Sequence, residues 1–180
     1  MNLEKLFEAQ KNLDEHITRK KGLEGQDLFA KKILALLVEL GELANEWRGF
    51  KFWSQDQQPR TKVQVYTGSG RKIEGKYKNP LLEEYVDCLH FILSIGLELG
   101  FSEFEIRTIP QRKDVTSQFL KLMRVSQDVL FKREVEQEIY KILISEFIAL
   151  GKMLGFTWEQ IEEAYFAKNA VNHERQESGY

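Results

Sequence analysis

Three glutamates share one face of a predicted helix in the first third of the chain. Glu39, Glu42 and Glu46 stand at positions i, i+3 and i+7, which places their side chains within about 60° of one another. Ala35 and Val38 flank this direction, so the face is not freely polar. Carboxylates about 4 Å apart repel by about 4 kcal/mol per pair at an effective dielectric near 20. The spacing indicates a cationic partner, although a solvated acidic face is the commoner fate of such a stripe.

A second acidic pair follows in a later predicted helix. Glu84 and Asp87 stand at i and i+3, and His90 lies one turn onward. Mg²⁺ prefers hard oxygen ligands, usually a few carboxylates with waters and substrate phosphates. If the two helices face each other, the acids predict metal-assisted hydrolysis of a phosphate compound by an activated water. His90 either orients Asp87 or bonds a backbone carbonyl, and the second interpretation is favoured.

The end of the chain supplies complementary positive charge. Lys168, Asn172 and Arg175 occur at i, i+4 and i+7, again within about 60° on one helix face. They fit a clamp for a phosphate chain, or a basic complement to the negative end of the helix dipole. No Gly-x-x-x-x-Gly-Lys-Ser/Thr loop occurs, so metal and side chains must hold the phosphates.

Most of the chain shows the apolar periodicity of helices, and these helices must position the acidic and basic residues. The pattern predicts helices over residues 3–21, 27–48, 81–99 and 115–154, the last with a break near 131–134, and a final helix that starts at Thr157. Thr157 and Gln160 are placed for a capping box. Apolar residues wrap nearly all of the second helix, which Gly49 ends, and this predicts a helix inside a bundle. Trp47 falls on its apolar side and is predicted to lie in the core.

Residues 60–78 interrupt the helical pattern and predict a small hairpin. Residues 63–66 alternate in polarity, residues 67–70 have turn composition, and residues 73–77 can return as a strand. The segment is rich in lysine and arginine. It is either a solvated insertion or a flap over an anionic substrate, and the insertion is favoured.

Composition limits the class of protein. The chain has 180 residues, with 26 lysines and arginines against 28 aspartates and glutamates, so no basic field predicts binding to a nucleic-acid polymer. We expect a single domain over residues 1–180. Cys88 is the only cysteine, and neither a signal peptide nor a membrane-spanning run is evident. We therefore expect a cytoplasmic protein without a membrane partner.

The acidic motifs resemble those of a known superfamily. Glu39-x-x-Glu42 followed by Glu84-x-x-Asp87 is similar to the metal-binding pattern of the all-α NTP pyrophosphatases, which are MazG-like. Three further segments resemble the dimeric dUTPases: Gln-Lys-Asn-Leu-Asp at 10–14, Asn-Glu-Trp-Arg-Gly-Phe-Lys-Phe-Trp at 45–53, and the segment 168–180. The 41 residues between Glu42 and Glu84 exceed the usual gap in small MazG-like proteins, and the hairpin accounts for the excess.

The resemblance implies an all-α helix bundle of the NTP pyrophosphatase type. It implies a homodimer that cleaves dUTP, and also dUDP, to dUMP with Mg²⁺. The implied metal ligands are Glu39, Glu42, Glu84 and Asp87, with Glu46 close enough to join them. One of the three glutamates Glu39, Glu42 and Glu46 is expected to orient or deprotonate the water.

The resemblance also implies a nucleotide-binding set. Gln10 and Asp14 are expected to bind the nucleoside, and Lys168, Asn172 and Arg175 the phosphates. Lys51 and Trp53 are the implied basic and aromatic elements, with the indole packed on a pyrimidine face or, alternatively, in the core. Two other functions stay open: hydrolysis of a different nucleotide such as dCTP, and a catalytically silent helical interaction module.

Overall fold

The computed structural model describes residues 3–101, 109, 112–132 and 136–179. Within these residues the chain forms six helices and one two-stranded antiparallel sheet. The helices are α1 (Glu4–Lys21), α2 (Phe29–Trp47), α3 (Pro80–Glu98), α4 (Val115–Phe131), α5 (Glu136–Met153) and α6 (Trp158–Glu177). The strands β1 (Val63–Tyr66) and β2 (Lys72–Lys78) lie between α2 and α3. The predicted all-α fold and its helices are confirmed, with the break falling after Phe131; residues 133–135 lie outside the described residues.

Local sequence signals explain where several helices begin and end. Gly22 follows α1 with a left-handed φ of 61°, a conformation that glycine adopts without a Cβ penalty. The Asn79 side chain accepts a hydrogen bond from the Leu82 amide at the start of α3. At the start of α6, Thr157 and Gln160 form both hydrogen bonds of the predicted capping box.

The end of α2 differs from the prediction that Gly49 stops it. Arg48 takes the left-handed φ of 66°, which is unusual for a residue with a Cβ. The Arg48 guanidinium is buried, and Nη2 donates to the Asp56 carbonyl at 2.7 Å, which holds the following loop against the turn. A Cβ on Gly49 would lie 2.3 Å from the Trp47 ring, so glycine is needed there for side-chain space.

The predicted hairpin is confirmed. Val63 pairs with Lys78 and Tyr66 with Lys72, with a shift of register between them. At the irregularity, Gln64 Nε2 donates to the carbonyls of Ile73 at 2.6 Å and Lys76 at 2.9 Å, which satisfies backbone acceptors that the bulge frees.

The core lies where α3 meets its neighbours. Helices α2 and α3 pack extensively against each other. Helices α1 and α6 pack against α3, and α4, which pairs with α5, packs against α2. Tyr85 of α3 stacks on Phe147 of α5 with ring centroids 4.2 Å apart, and the Tyr140 hydroxyl donates to the Ile92 carbonyl at 3.0 Å. A Cβ on Gly96 would lie 2.1 Å from the Tyr140 oxygen, so this contact requires glycine.

One face of α2 is not enclosed by the fold. Leu36, Leu40 and Leu43 are fully buried, but Leu34 is 63% exposed and Val38 is 52% exposed. The prediction that α2 is surrounded inside a bundle is therefore wrong for this face, because α3 and α4 cover only part of its circumference. Over the described residues, none of the helices is long and apolar enough to cross a membrane.

Candidate active site

The acidic stripes of α2 and α3 meet where these two helices pack. Carboxylate oxygens of Glu39, Glu42 and Glu84 all lie within 4.8 Å of one another. Glu39 and Glu84 are half-buried, and Glu42 is exposed. Successive turns of α2 bring Glu39 and Glu42 together, and the packing of α3 adds Glu84. Three of the four predicted metal ligands thus form one cluster.

The cluster carries more negative charge than its surroundings readily solvate. The pKa of Glu39 is raised to about 7, first by burial and then by the nearby Asp87 and Glu42 carboxylates. The pKa of Glu84 is also raised to about 7, again first by burial and then by Asp87 and the two α2 glutamates. Each carboxylate makes it harder to ionise the next, so a cation near the cluster would favour its ionised form.

Asp87 lies beside this cluster but is held by a lysine. Lys168 Nζ donates to Asp87 Oδ2 at 2.5 Å, so α6 supplies a counter-ion to an acid of α3. Asp87 still raises the pKa of both Glu39 and Glu84, and Lys168 lowers it. Asp87, the fourth predicted ligand, is therefore close enough to Glu39 and Glu84 to influence their ionisation.

Glu46 has a different environment. Its Oε1 lies 3.1 Å from Arg60 Nη1, and its backbone carbonyl accepts a hydrogen bond from the Arg60 amide at 3.0 Å. The second carboxylate oxygen is buried, and no hydrogen-bond partner for it is found within the described residues. Glu46 lies one turn beyond Glu42 and anchors the chain that leads into the hairpin.

A polar network joins α1, α3 and α6 at the other side of the cluster. Gln10 Nε2 donates to Asp14 Oδ1 at 2.7 Å, and the Ser94 hydroxyl donates to Asp14 Oδ2 at 2.6 Å. The Tyr165 hydroxyl donates to Gln10 Oε1 at 2.8 Å. Burial raises the pKa of Asp14, opposed by these hydrogen bonds and by Lys32. Gln10 and Asp14, the predicted nucleoside residues, are thus part of one rigid unit.

His90 completes the network in a way that neither sequence interpretation foresaw. Its Nδ1 lies 2.7 Å from Gln10 Oε1, so it bonds neither Asp87 nor a backbone carbonyl through that atom. Because an amide oxygen only accepts, Nδ1 must carry the hydrogen. Burial, and secondarily Lys168, lowers the pKa of His90 to about 3, which keeps the ring neutral. The prediction failed because Gln10 is 80 residues away in sequence.

A cavity of about 220 Å³ brings seven of the predicted site residues together, whereas Glu42, Glu46 and Glu84 are not in its lining. Its wall is built from four helices, with apolar Leu13, Ile17 and Phe91 between the polar groups. The lining comprises Gln10, Leu13, Asp14, Ile17, Glu39, Asp87, His90, Phe91, Ser94, Lys168, Asn172 and Arg175. One end therefore offers acids for a cation and cationic groups for phosphates, and the other offers fixed hydrogen-bonding groups beside apolar surface.

Lys51 and Trp53 lie on the loop after α2 and not in the lining of this cavity. Trp53 is 65% exposed and makes edge contacts with Phe50 and Phe52 at 5.7 and 5.0 Å between ring centroids. The alternative of a core tryptophan is therefore wrong for Trp53. Trp47, by contrast, packs against the core and contacts Phe119 at 5.6 Å, as predicted.

Two residues that line or support the cavity carry only weak signals in the sequence. Ser94 stands seven residues after Asp87, and Tyr165 three residues before Lys168. Each is therefore on the same helix face as a predicted site residue. Both residue types are common on solvated and buried surfaces alike, so spacing alone does not single them out.

Comparison with known proteins agrees with this geometry. A family model described as dUTPase matches residues 2–66 and 71–180. Between these limits the match omits only the turn of the hairpin. A search of curated proteins found no match.

Proposed function

Because this chain belongs to the all-α dUTPase family and is therefore a dUTP diphosphatase, we propose that it converts dUTP to dUMP and pyrophosphate with Mg²⁺ held between α2 and α3. The observation that carries the proposal is the meeting of Glu39, Glu42 and Glu84 within 4.8 Å, since Glu39 also lines the cavity that Lys168, Asn172 and Arg175 line. The acidic residues that would bind a cation therefore lie next to the residues that would bind phosphates.

The donor set fits Mg²⁺. The cluster offers carboxylate oxygens alone, and this ion prefers such hard ligands over imidazole or thiolate. Burial first, and then repulsion among the carboxylates, raises the pKa values of Glu39 and Glu84, and a divalent cation would relieve that repulsion. We assign Glu39, Glu42, Glu84 and Asp87 as the ligands. When bound, the ion would neutralise phosphate charge and lower the pKa of a water.

The proposed proton acceptor is one of the α2 glutamates. Glu39 both belongs to the acidic cluster and lines the cavity, so its carboxylate can hold a water against a phosphate at that end. Glu42 shares the cluster from the exposed side and would fix the same water or the cation. Glu46, anchored by Arg60, would support Glu42 from the next turn.

The remaining cavity residues would bind the nucleotide. Gln10 and Asp14 are fixed by hydrogen bonds to His90 and Ser94 and would meet the nucleoside, because preorganised polar groups give specificity at low entropic cost. Lys168, Asn172 and Arg175 would clamp the phosphates. This clamp requires no third phosphate, so we propose that dUDP is also a substrate.

We further propose a homodimer with a single domain over residues 1–180. Leu34 and Val38 form an apolar surface on α2, and a second copy would bury it. The exposed loop with Lys51 and Trp53 would then gain a substrate-binding role once the assembly and nucleotide are present. We expect a cytoplasmic enzyme that binds neither membrane nor nucleic-acid polymer.

The test is release of pyrophosphate from dUTP by the purified protein with and without Mg²⁺. We expect release to require the ion, with dUDP yielding inorganic phosphate and dCTP serving as the competing nucleotide. A higher kcat/KM for dCTP than for dUTP would overturn the substrate assignment. Equal rates in Mg²⁺ and in a metal chelator would overturn the metal assignment.

A further inference from the structure

An imidazole pair joins α1 to α6 away from the acidic cluster. His16 Nδ1 and His173 Nδ1 are 2.8 Å apart, and the two ring centroids are 5.0 Å apart with their planes inclined by 24°. His16 Nε2 lies 2.9 Å from Glu177 Oε1, and the other Glu177 oxygen lies 2.9 Å from Lys20 Nζ. The proposed hydrolysis uses none of these four side chains.

The two inner nitrogens can share only one hydrogen at this distance. One Nδ1 must therefore present a lone pair to the other. Burial, and secondarily the neighbouring His16, lowers the pKa of His173, which favours the neutral ring. A neutral imidazole nitrogen is a ligand that Zn²⁺, Ni²⁺ and Cu²⁺ accept readily, whereas Mg²⁺ does not favour it.

We propose that His16, His173 and Glu177 form a second metal site, which takes a late first-row divalent ion such as Zn²⁺. The ion would replace the hydrogen between the imidazoles. Two nitrogens bound tetrahedrally at about 2.0–2.1 Å lie roughly 3.4 Å apart, so the pair must open by only about 0.6 Å.

The third ligand comes from the same helix as His173. Glu177 stands four residues after His173, so the two side chains share a face of α6. The Glu177 carboxylate now lies against His16 Nε2, and its side chain is 62% exposed; to bind the ion it would have to rotate towards the inner nitrogens. An open cavity of about 620 Å³ lined by His16, His173, Glu174, Glu177 and Ser178 gives an ion access from solvent.

The site would have a structural consequence for the active-site cavity. Asp14 precedes His16 by two residues, and Asn172 adjoins His173, and both line that cavity. An ion that ties α1 to α6 would therefore stabilise two of its walls. Because it binds the folded state, the ion should raise the Tm.

Zn²⁺ titration with Mg²⁺ in large excess tests the site, because the excess Mg²⁺ competes with Zn²⁺ for the acidic cluster. We expect one Zn²⁺ per chain, a rise in Tm, and at least a 10-fold loss of Zn²⁺ affinity in both His16→Gln and His173→Gln. Lys11→Gln, an exposed substitution on the same helix, is the matched control and should leave the affinity unchanged.

Histidine-ring NMR of the unmutated protein provides a measurement that does not depend on a variant folding. Zn²⁺ should shift the ring signals of His16 and His173 and leave that of His90 in place. Absence of Zn²⁺ binding, or Zn²⁺ binding that neither His variant weakens, would overturn the proposal. Its failure would leave dUTP hydrolysis untouched, because Mg²⁺-dependent pyrophosphate release is measured separately.

Discussion

Binding of Mg²⁺ should weaken steeply when the pH falls below 7. Glu39 and Glu84 have pKa values raised to about 7 in the metal-free chain, primarily by burial and then by neighbouring carboxylates. A carboxylic acid must lose its proton before it coordinates the ion. Protons therefore compete with the metal in a pH range where ordinary glutamates, with pKa values near 4.3, do not.

The size of the effect follows from these two values. With a pKa of about 7, each acid is about 91% ionised at pH 8 and about 9% ionised at pH 6. If both must be ionised, the binding-competent fraction falls about 100-fold over these two pH units. With ordinary pKa values the same change would be less than about 1.1-fold. The prediction is thus separated from the ordinary case by about two orders of magnitude.

Mn²⁺ is a suitable probe because its binding can be followed by electron paramagnetic resonance. We expect the Mn²⁺ Kd to rise about 100-fold from pH 8 to pH 6. In Glu84→Gln the pH dependence should shrink to about 10-fold or less, since one titrating ligand is gone. Glu83→Gln, an exposed neighbour, is the matched control and should retain the full dependence. A Kd that changes less than about 2-fold in the unmutated protein would refute the reasoning.

The raised pKa values of Glu39 and Glu84 also determine how the stability of the metal-free protein changes with pH. The folded Glu39 and Glu84 hold protons that the unfolded chain releases above its ordinary pKa. Without metal, the free energy of unfolding should therefore fall as the pH rises from about 4.5 through about 7. Saturating Mg²⁺ should restore it at the upper end of that window. A metal-free Tm that rises over this range would contradict the assigned shifts.

Three further predictions test other parts of the site. Glu42→Gln should abolish dUTP turnover, a larger loss of activity than the roughly 10- to 100-fold that follows when a residue supporting a metal ligand is replaced. The Tm of the metal-free protein should change little. Retained activity would reject the metal assignment. Asp14→Asn should lower kcat/KM for dUTP by about 10- to 100-fold through loss of a charged hydrogen-bonding group, and an unchanged value would remove Asp14 from the nucleoside site. Leu34→Glu should convert the proposed dimer to a monomer in sedimentation equilibrium, whereas Gln137→Glu, which adds the same charge at an exposed position of α5, should leave the dimer intact.

Much of the fold could be predicted because its signals are local. The Thr157 capping box and the glycine after α1 act within a few residues, so a single sequence contains all the information they need. The acidic cluster was accessible for a related reason. Helical spacing fixes Glu39 relative to Glu42, and only the packing of α3 had to be supplied.

The errors concern what lies across a tertiary contact. The apolar circumference of α2 predicts that its surface should be buried, but does not say whether this chain or a second copy covers Leu34 and Val38. The Nδ1 partner of His90 comes from α1, and no spacing rule connects these positions. The role of Glu46 stays a prediction, but its helical spacing could not show that Arg60 engages its carboxylate, because the chain folds back there only in the tertiary structure.

The two halves of the site are supported differently, and this decides how substitutions in them must be interpreted. The acids of α2 and α3 sit on helices that are held by Leu36, Leu40 and the Tyr85 contact with α5, none of which involves a carboxylate. Replacing Glu39, Glu42 or Glu84 removes charge repulsion without opening the core, so lost activity reports on chemistry, whereas replacing Asp87 would also break its ion pair with Lys168 of α6. The network of Gln10 is itself the contact between α1, α3 and α6. A change in that half alters binding and packing together, so its kinetic effect carries meaning only beside a measured Tm.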